Sequence, residues 1–406
     1  MKKTTFPTDS PRIPRRLALV TLLASAGLVV LPSCGGGGGG GAGGDVAGVD
    51  TGGTGSFSTG RITGFGSVIV NGVRYEDNAA RIVDEDGDKV LGTQDLRLGM
   101  VVSVRGGSVT PGTAGSLPLA TATTITVESQ IKGPVESRTA PDTLVVFGQT
   151  VKVDAATVFE GTSFAGIAIG DVLEVSGFAG AGGVVTASRI EREDTTSEFK
   201  VRGFVTGLDT AARSFRVGTA TFAYAGTPAD RLPDAGLAEG QFVRVRTSTT
   251  PNAGGQWLVT RVELRSRIED CDESEVEGIL LQSGTSFSVN GVAIDVSRLP
   301  AGTVLPVGLR VEVEGAIANN VLVARRIELD DGGGDSQVDA RGTVSSVNLA
   351  ARTFVVRGVT FHYTPGLTQE KDGTLAASLV NGATVRARGQ LTGSGTVEAS
   401  EIDFQP

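Results

Sequence analysis

The sequence has few of the side chains that catalytic and metal-binding sites most often use. Its 406 residues include one His, one Trp, two Cys and two Met, and aromatic residues make up only 5% of the total. Because His362 is the single imidazole, the chain cannot build a zinc site from several histidines. No Ser-His-Asp arrangement stands out around it either. We therefore expect a protein that is not an enzyme and that carries no cofactor.

Basic side chains are also in the minority. Lys and Arg number 36 against 45 Asp and Glu, which gives a net charge of −9. The first 33 residues carry five basic side chains and one acidic one, so the remainder has a net charge of −13 (−9 minus +4). Nucleic-acid binding draws most of its affinity from cationic side chains, and anionic lipid surfaces attract the same groups. We therefore expect no nucleic acid among the partners.

One long uncharged apolar run is present, and it lies near the N-terminus. Residues 17–31 contain no charge and follow a basic segment. This run is too short for a comfortable membrane span and fits the hydrophobic region of a secretory signal. We predict a signal peptide over residues 1–33. The Gly-rich residues 34–58 then predict a flexible tether with an r.m.s. reach of about 25–30 Å.

Glycine is abundant, with 59 residues, and much of it belongs to a pattern that the chain repeats five times. The pattern reads Gly-x-Val, then Ser/Thr-Phe-x-Val-x-Gly, then Leu-x-x-Gly-x-x-Val-x-Val-x-Gly, then Ala-x-x-Ile. Such self-similarity indicates an array of small supersecondary units. The predicted units span residues 59–130, 131–194, 198–267, 273–331 and 337–406.

Within each unit, apolar residues alternate with polar ones over short segments separated by Gly. Alternation gives a strand one apolar and one wet face, and five strands with a looser crossover between the third and fourth resemble an OB-like barrel. The sequence thus predicts an all-β fold of five tandem, small, antiparallel OB-like barrels after the signal peptide and tether. A flat sandwich is the alternative. Acidic breaks at Glu193–Glu198, Ile268–Glu275 and Asp330–Gln337 predict solvated linkers.

One acidic loop deserves comparison with a metal site. Asp84, Asp86 and Asp88 place carboxylates at alternate positions, as at the start of a calcium-binding loop. However, Lys89 occupies the sixth position, where such a loop needs Gly, and flanking helices are not indicated. These three residues are calcium candidates, and the alternative is an acidic hairpin turn between strands.

Cys271 and His362 are residue types that often act in catalysis, but their sequence surroundings do not favour such a role. Cys271 lies between Asp270 and Asp272, and neighbouring carboxylates disfavour the thiolate. We predict an exposed, unreactive thiol. His362 stands opposite polar residues in the other units, which predicts an ordinary exposed strand position.

Three aromatic residues are candidates for stacking on a ligand: Trp257, Tyr224 and Tyr363. The two tyrosines recur near corresponding third-strand positions, which fits core packing at least as well as binding. The sequence assigns no catalytic residue.

The segment Leu31-Pro32-Ser33-Cys34, directly after the apolar run, resembles the lipobox of bacterial lipoproteins. In that family the signal peptide is cut before the cysteine, which then receives acyl chains such as palmitate. The resemblance implies lipid attachment at Cys34, and Gly rather than Asp at position 35 implies sorting to the outer membrane. The repeated motif over residues 59–406 also resembles the tandem β-domains of unknown function that some of these lipoproteins carry. The resemblance implies an exported protein built from tandem β-domains, and it does not indicate any activity.

We therefore expect a non-enzymatic envelope lipoprotein, held at the membrane by its lipid, whose β-domain array acts as a binding or spacer module. An envelope glycan or protein would be its partner. One alternative is a calcium-dependent or carbohydrate-binding adhesion module. Another is a hydrolase with a carboxylate site in one repeat.

Overall fold

The computed structural model describes residues 55–87, 89–113, 116–330, 337–392 and 395–405. These belong to one compact unit, Thr51–Pro406. The predicted signal peptide, Cys34 and the tether up to residue 54 lie outside the described residues. The first strand begins at Gly55, so residues 55–58, predicted as tether, belong instead to the first barrel.

The first two repeats form barrels 1 and 2. Barrel 1 consists of β1 (Gly55–Phe65), β2 (Val68–Val70), β3 (Val73–Glu76), β4 (Arg81–Asp84), β5 (Val90–Leu91), β6 (Val101–Gly107) and β7 (Leu119–Glu128). Barrel 2 consists of β8 (Ile131–Thr139), β9 (Thr143–Val146), β10 (Gln149–Lys152), β11 (Val158–Glu160), β12 (Val172–Ala179) and β13 (Val184–Glu193). Short 3₁₀ turns are Thr93–Asp95, Phe164–Gly166 and Ala181–Gly183.

The next two repeats form barrels 3 and 4. Barrel 3 consists of β14 (Phe199–Phe204), β15 (Thr206–Asp209), β16 (Ser214–Val217), β17 (Ala220–Ala223), β18 (Phe242–Thr247) and β19 (Trp257–Leu264), with a 3₁₀ turn at Ala229–Arg231. Barrel 4 consists of β20 (Cys271–Ser283), β21 (Ser286–Val289), β22 (Val292–Asp295), β23 (Arg310–Ala318) and β24 (Val321–Leu329).

The last repeat forms barrel 5. It consists of β25 (Gln337–Asn348), β26 (Thr353–Val356), β27 (Val359–His362), β28 (Gln369–Lys371), β29 (Thr384–Leu391) and β30 (Val397–Gln405), with a single helical turn, α1 (Leu375–Ser378). Nothing helical in the described part of the chain is long and apolar enough to span a membrane.

Each repeat closes into a small barrel with one strand order. In barrel 5, β25 pairs with β26, β26 with β27, β27 with β30, β30 with β29, and β29 returns to β25. The β27–β30 pair is parallel and the others are antiparallel. The same circuit recurs in barrels 1, 2 and 4, and in barrel 3, where the first strand is divided into β14 and β15. This is the closed strand order of an OB-like fold, and the all-β prediction is confirmed.

Tight turns between the second and third strands set the register of each barrel. Four of these turns have two successive residues with positive φ, from 48° to 53° and then from 70° to 78°. Two such residues make a type I′ turn, whose twist matches that of a β-hairpin and which favours Gly at its second position. The turns are Asn71-Gly72, Phe147-Gly148, Asn290-Gly291 and Arg357-Gly358.

Close packing against the fifth strand explains the Gly that ends the fourth-strand motif. At this position in barrels 1, 2, 4 and 5, an added Cβ would lie only 2.1–2.7 Å from a carbonyl oxygen of the fifth strand. The register between the two strands shifts there, as in a β-bulge. Barrel 3 has Thr247 instead of Gly and keeps the same shift in register.

A cross-strand pair between the second and third strands fills each barrel. Phe215 and Phe222 stack at 5.5 Å between ring centroids in barrel 3, and Phe354 and Phe361 stack at 5.4 Å in barrel 5. Stacked aromatic pairs add about 0.5–1.5 kcal/mol beyond the area they bury. The equivalent pairs in the other barrels are Val68–Tyr75, Leu144–Val151 and Phe287–Ile294.

First strands also join one barrel to another. Strand β1 pairs in parallel with β20 over Ser56–Thr59 and with β25 at Gly64 and Phe65. Strand β8 pairs antiparallel with β14. Barrels 1, 4 and 5 therefore share one continuous sheet, and barrels 2 and 3 share another.

Hairpin tips form further contacts between barrels. The ring of Phe147, at the tip in barrel 2, packs against Phe199, Phe222 and Trp257 of barrel 3 at centroid distances of 4.9–5.7 Å. A bulky residue with positive φ is unusual, and here that conformation delivers a fully buried ring into the neighbouring barrel. The tips thus act as docking points.

Two of the predicted linkers are solvated only in part, because their ends belong to the barrels. Strand β20 begins at Cys271, and both Ile268 and Cys271 are buried. Glu193 lies in β13 and pairs with Lys132, with 3.2 Å between Oε1 and Nζ. Asp194, Ser197 and Glu269 are exposed as predicted, so the solvated part of each segment is shorter than its acidic composition suggested. The third linker lies largely outside the described residues.

We predict that Gly148→Ala destabilises the protein through the contact between barrels 2 and 3. A Cβ at Gly148 (φ +71°) would lie 2.4 Å from the amide nitrogen of Ala220, whereas one at Gly161 (φ +69°) would contact nothing. Gly161→Ala should therefore cost about 1 kcal/mol for backbone strain alone, and Gly148→Ala about 2–4 kcal/mol. Urea unfolding of the two variants measures the difference, and equal losses would contradict this contact.

Candidate functional site

The largest group of buried charges lies where barrel 1 meets barrel 3. An acidic hairpin between β4 and β5 enters a set of cationic side chains on the outer face of barrel 3. We call this group the junction cluster. Its members are Glu85, Asp86, Glu128, Glu198, Lys200, Arg202, Arg244, Arg246, Glu263 and Arg265.

The cationic half of the junction cluster follows from strand alternation. Lys200 and Arg202 face outward on β14, while inward residues fill the barrel. Their register partners on β18 are Arg246 and Arg244. Like charges directly opposite each other destabilise a sheet. Barrel 3 therefore needs carboxylates to neutralise this face.

Barrel 1 supplies two of them from its hairpin. Asp86 places Oδ1 2.7 Å from Nη2 of Arg244, and its Oδ2 contacts Nζ of Lys200. Glu85 places Oε1 3.4 Å from Nη1 of Arg244, and its Oε2 contacts Arg202. The side chains of Asp86 and Glu85 are only 2% and 4% exposed. Both carboxylates therefore depend on barrel 3 for their counter-ions.

Burial affects the two hairpin acids differently. The pKa of Glu85 is raised because the loss of solvent outweighs the charges of Arg202 and Arg244. Burial also acts to raise the pKa of Asp86, but the hydrogen bond from Lys200 and the charge of Arg244 prevail and lower it. Neighbouring carboxylates with different pKa values are the usual setting for acid–base pairs. Here, however, each contacts a permanently charged guanidinium, which indicates ion pairing rather than proton transfer.

Glu128 forms a second, deeper part of the same cluster. Its carboxylate accepts a hydrogen bond from Nη1 of Arg202 at 2.6 Å, lies 3.5 Å from Nη1 of Arg265, and accepts another bond from the hydroxyl of Ser103. Burial alone would raise the pKa of Glu128, but Arg265 and Arg202 together lower it to about 2. This carboxylate is therefore ionised at any physiological pH.

A smaller buried ion group joins barrels 1 and 4. Glu277 accepts a hydrogen bond from the backbone amide of Arg61 at 3.0 Å and pairs with Nη2 of Arg310 at 2.8 Å. Arg310 also pairs with Asp330 at 2.7 Å, and its guanidinium lies 5.3 Å from the ring centre of Phe178 in barrel 2. Three barrels thus meet around one arginine.

The predicted calcium residues are divided by the structure. Asp86 belongs to the junction cluster, while Asp84 accepts a hydrogen bond from the amide of Lys89 at 3.0 Å within the hairpin. Asp88 lies outside the described residues. Over the described ranges, no group of three or more His, Cys, Asp or Glu side chains is arranged to hold a metal ion.

The three candidate stacking residues face protein rather than an open groove. Trp257 is partly buried against Phe147 and Phe199, where barrels 2 and 3 meet. Tyr224 and Tyr363 are 8% and 6% exposed and belong to the cores of barrels 3 and 5.

Cys271 and His362 were both predicted to be exposed, and the structure differs from this prediction at Cys271. Cys271 is buried in β20 beside Ser274, so the prediction of an exposed thiol is wrong. It points into barrel 4 although acidic residues flank it. Its burial raises the pKa of the thiol, which keeps the sulfur protonated and unreactive. His362 lies on a partly exposed strand face, with Nδ1 2.9 Å from a carboxylate oxygen of Glu398.

Sequence reasoning missed the cationic half of the junction cluster. Its signal was present as alternating Lys and Arg in β14 and β18, on the face opposite the barrel core. The pairing with an acidic hairpin more than a hundred positions earlier in the chain leaves no local pattern.

Comparison with known proteins agrees with the repeats. Three regions, residues 132–191, 275–328 and 341–403, are similar to the family model described as "Domain of unknown function (DUF5666)". They coincide with barrels 2, 4 and 5. No curated protein matches the chain. These three matches are consistent with tandem domains of unknown function, and they attach no activity to the chain.

We predict that Glu128→Gln costs about 3 kcal/mol at neutral pH. A carboxyl group whose pKa falls from 4.5 to about 2 on folding stabilises the native state above pH 4.5, at 1.36 kcal/mol per unit. This contribution is lost as the pH falls through 2. The stabilities of wild type and variant, measured by urea unfolding, should therefore converge on acidification between pH 4.5 and pH 2.

The matched control is Glu314→Gln. Glu314 pairs with Arg326 on the surface, where both side chains are at least 40% exposed, and such pairs contribute about 0–1 kcal/mol. A difference between wild type and Glu128→Gln that did not change with pH would show that the lost stability is not electrostatic.

Proposed function

We propose that the chain is a non-enzymatic envelope lipoprotein whose five barrels act together as one binding module. The observation that carries the proposal is the locking of the barrels to each other. Shared strands join β1 to β20 and β25, and the junction cluster closes barrel 1 on barrel 3. A flexible spacer needs no buried ion pairs between its domains, whereas a fixed recognition surface built from several domains does.

The contents of the barrels support the same proposal. Buried apolar side chains fill them, and the carboxylates of the junction cluster contact arginine or lysine. No described constellation pairs a nucleophile with a base. The calcium and hydrolase alternatives gain no supporting observation, since Asp86 already has cationic partners. Recognition would therefore use the outer surface of the assembly.

Lipid attachment at Cys34 is the first testable part of this proposal. We expect metabolic labelling with an alkyne analogue of palmitate to mark the wild-type protein and not Cys34→Ser. We also expect Cys34→Ser to be lost from the outer-membrane fraction. Cys271→Ser is the matched control and should retain both label and location. Labelling that persists in Cys34→Ser would contradict the proposal.

Binding by the assembled barrels is the second testable part. We expect chemical cross-linking in intact cells to give discrete adducts with the wild-type protein. Asp86→Lys places a fifth cation beside Lys200, Arg202, Arg244 and Arg246 and should separate barrel 1 from barrel 3. The adducts should therefore disappear although circular dichroism still shows folded barrels.

The matched control for this experiment is Glu328→Lys, the same charge reversal at a side chain that is 54% exposed. It should keep the adducts. Adducts that survive Asp86→Lys would show that the barrels act separately. Turnover of an envelope polymer by the purified protein would refute the non-enzymatic assignment.

A further inference from the structure

A pocket between barrels 1 and 5 is lined by a charged side chain, Arg74, that does not belong to the junction cluster. The pocket has a volume of about 70 Å³, whereas one water molecule needs about 10–15 Å³. Barrel 1 contributes Phe65, Ile69, Arg74 and Leu117, and barrel 5 contributes Arg341 and Arg386. We call it the Arg74 pocket.

Arg74 is an exception among the repeats. It occupies the second position of the third strand, and the equivalent residues in the other barrels are Thr150, Thr221, Ala293 and Thr360. The position therefore does not require a long or charged side chain for the barrel to fold. Barrel 1 has a guanidinium here for some other reason.

The guanidinium of Arg74 also has no counter-ion among the residues that the structure describes. Its Nε is buried and has no hydrogen-bond partner, while the residue as a whole is half-buried. Across the described residues its side chain forms neither an ion pair nor a hydrogen bond. Leaving a buried charged donor unpaired costs more than leaving a neutral one. An arginine held in this way is ready to donate to an anion.

The rest of the pocket adds positive charge rather than neutralising it. Asp339 is the one acidic residue in its lining, and it is already held by Arg386, with 3.0 Å between Nε and Oδ1, and by Nε of Arg388 at 3.4 Å. Glu401 and Asp403 act on Arg386 from β30. Arg341 donates to the neutral amide of Gln405 at 3.3 Å. Arg74 and Arg341 therefore carry charge that no carboxylate in the lining offsets.

The apolar part of the lining limits what the pocket can accept. Phe65 and Ile69 are buried, so a fully hydrated ion would gain little from their side of the pocket. A planar or tetrahedral oxyanion suits the fork of a guanidinium, which can donate two parallel hydrogen bonds to it.

We propose that the Arg74 pocket binds one carboxylate or phosphate group, carried on a small ligand or on a larger envelope molecule. Arg74 donates the principal hydrogen bonds, Arg341 supplies a second positive charge, and Phe65 and Ile69 contact the substituent. The site is independent of the junction cluster and of the function proposed above, because none of its residues belongs to that cluster.

Titration calorimetry with sodium phosphate and sodium acetate tests this site, with chloride at matched ionic strength as the blank. The protein is the chain from residue 34 onward carrying Cys34→Ser. We expect a dissociation constant in the millimolar range for at least one of the two ions. Arg74→Thr introduces the residue that three other barrels have and should weaken binding at least tenfold. Arg74→Lys keeps the charge without the fork and should weaken it less.

The control variant is Arg298→Thr, which removes the same charge from an exposed loop of barrel 4 and should bind as the wild type does. Co-sedimentation with phosphatidylcholine vesicles, with and without phosphatidic acid, distinguishes a free ion from a lipid-borne phosphate. Binding in either arm that Arg74→Thr abolishes supports the pocket. Absence of binding in both arms, or binding that Arg74→Thr leaves unchanged, would overturn it.

Discussion

The contact between barrels 1 and 3 depends on the cationic outer face of barrel 3. Two strands place Lys200 opposite Arg246 and Arg202 opposite Arg244, and the described part of barrel 3 itself offers these cations only two counter-ions, Glu198 and Glu263. The acidic hairpin of barrel 1 replaces the water on this face with two carboxylates. A buried charge that lacks its partner is costly. The cluster therefore favours either full contact between barrels 1 and 3 or no contact at all. The pairing of β1 with β20 and β25 then joins barrel 1 to barrels 4 and 5.

Local periodicity was enough to predict the barrels and not enough to predict their assembly. Alternation and the Gly after each second strand are encoded within a few residues, so the all-β, OB-like fold was visible in the sequence. The ion pairs of Glu85 and Asp86 depend on residues from another repeat. Cys271 was misjudged for the same reason, since its acidic neighbours say nothing about the strand that covers it.

The departures from the repeat are more informative than the repeat itself. Thr247 replaces a Gly and keeps the bulge, so that position tolerates change. Phe147, in contrast, occupies a turn position where Asn is found in barrels 1 and 4, and it places a ring in the core of barrel 3. The turn therefore keeps its backbone shape within each barrel, while the side chain at its first position can change to suit a contact with a neighbouring barrel.

Strand β1 has a consequence for the order in which the chain can fold. Its partners within barrel 1 are nearby, but Ser56 also pairs with Glu273 and Gly64 with Asp339. Contacts between such distant parts of a chain form slowly, and an unpaired strand edge is prone to association in the interval. Over the described residues, the sheet shared by barrels 2 and 3 contains strands from these two barrels only. They can therefore fold while the rest of the chain is still being synthesised. Barrel 1 is made first, yet it reaches its final set of neighbours only when the last repeat has been synthesised.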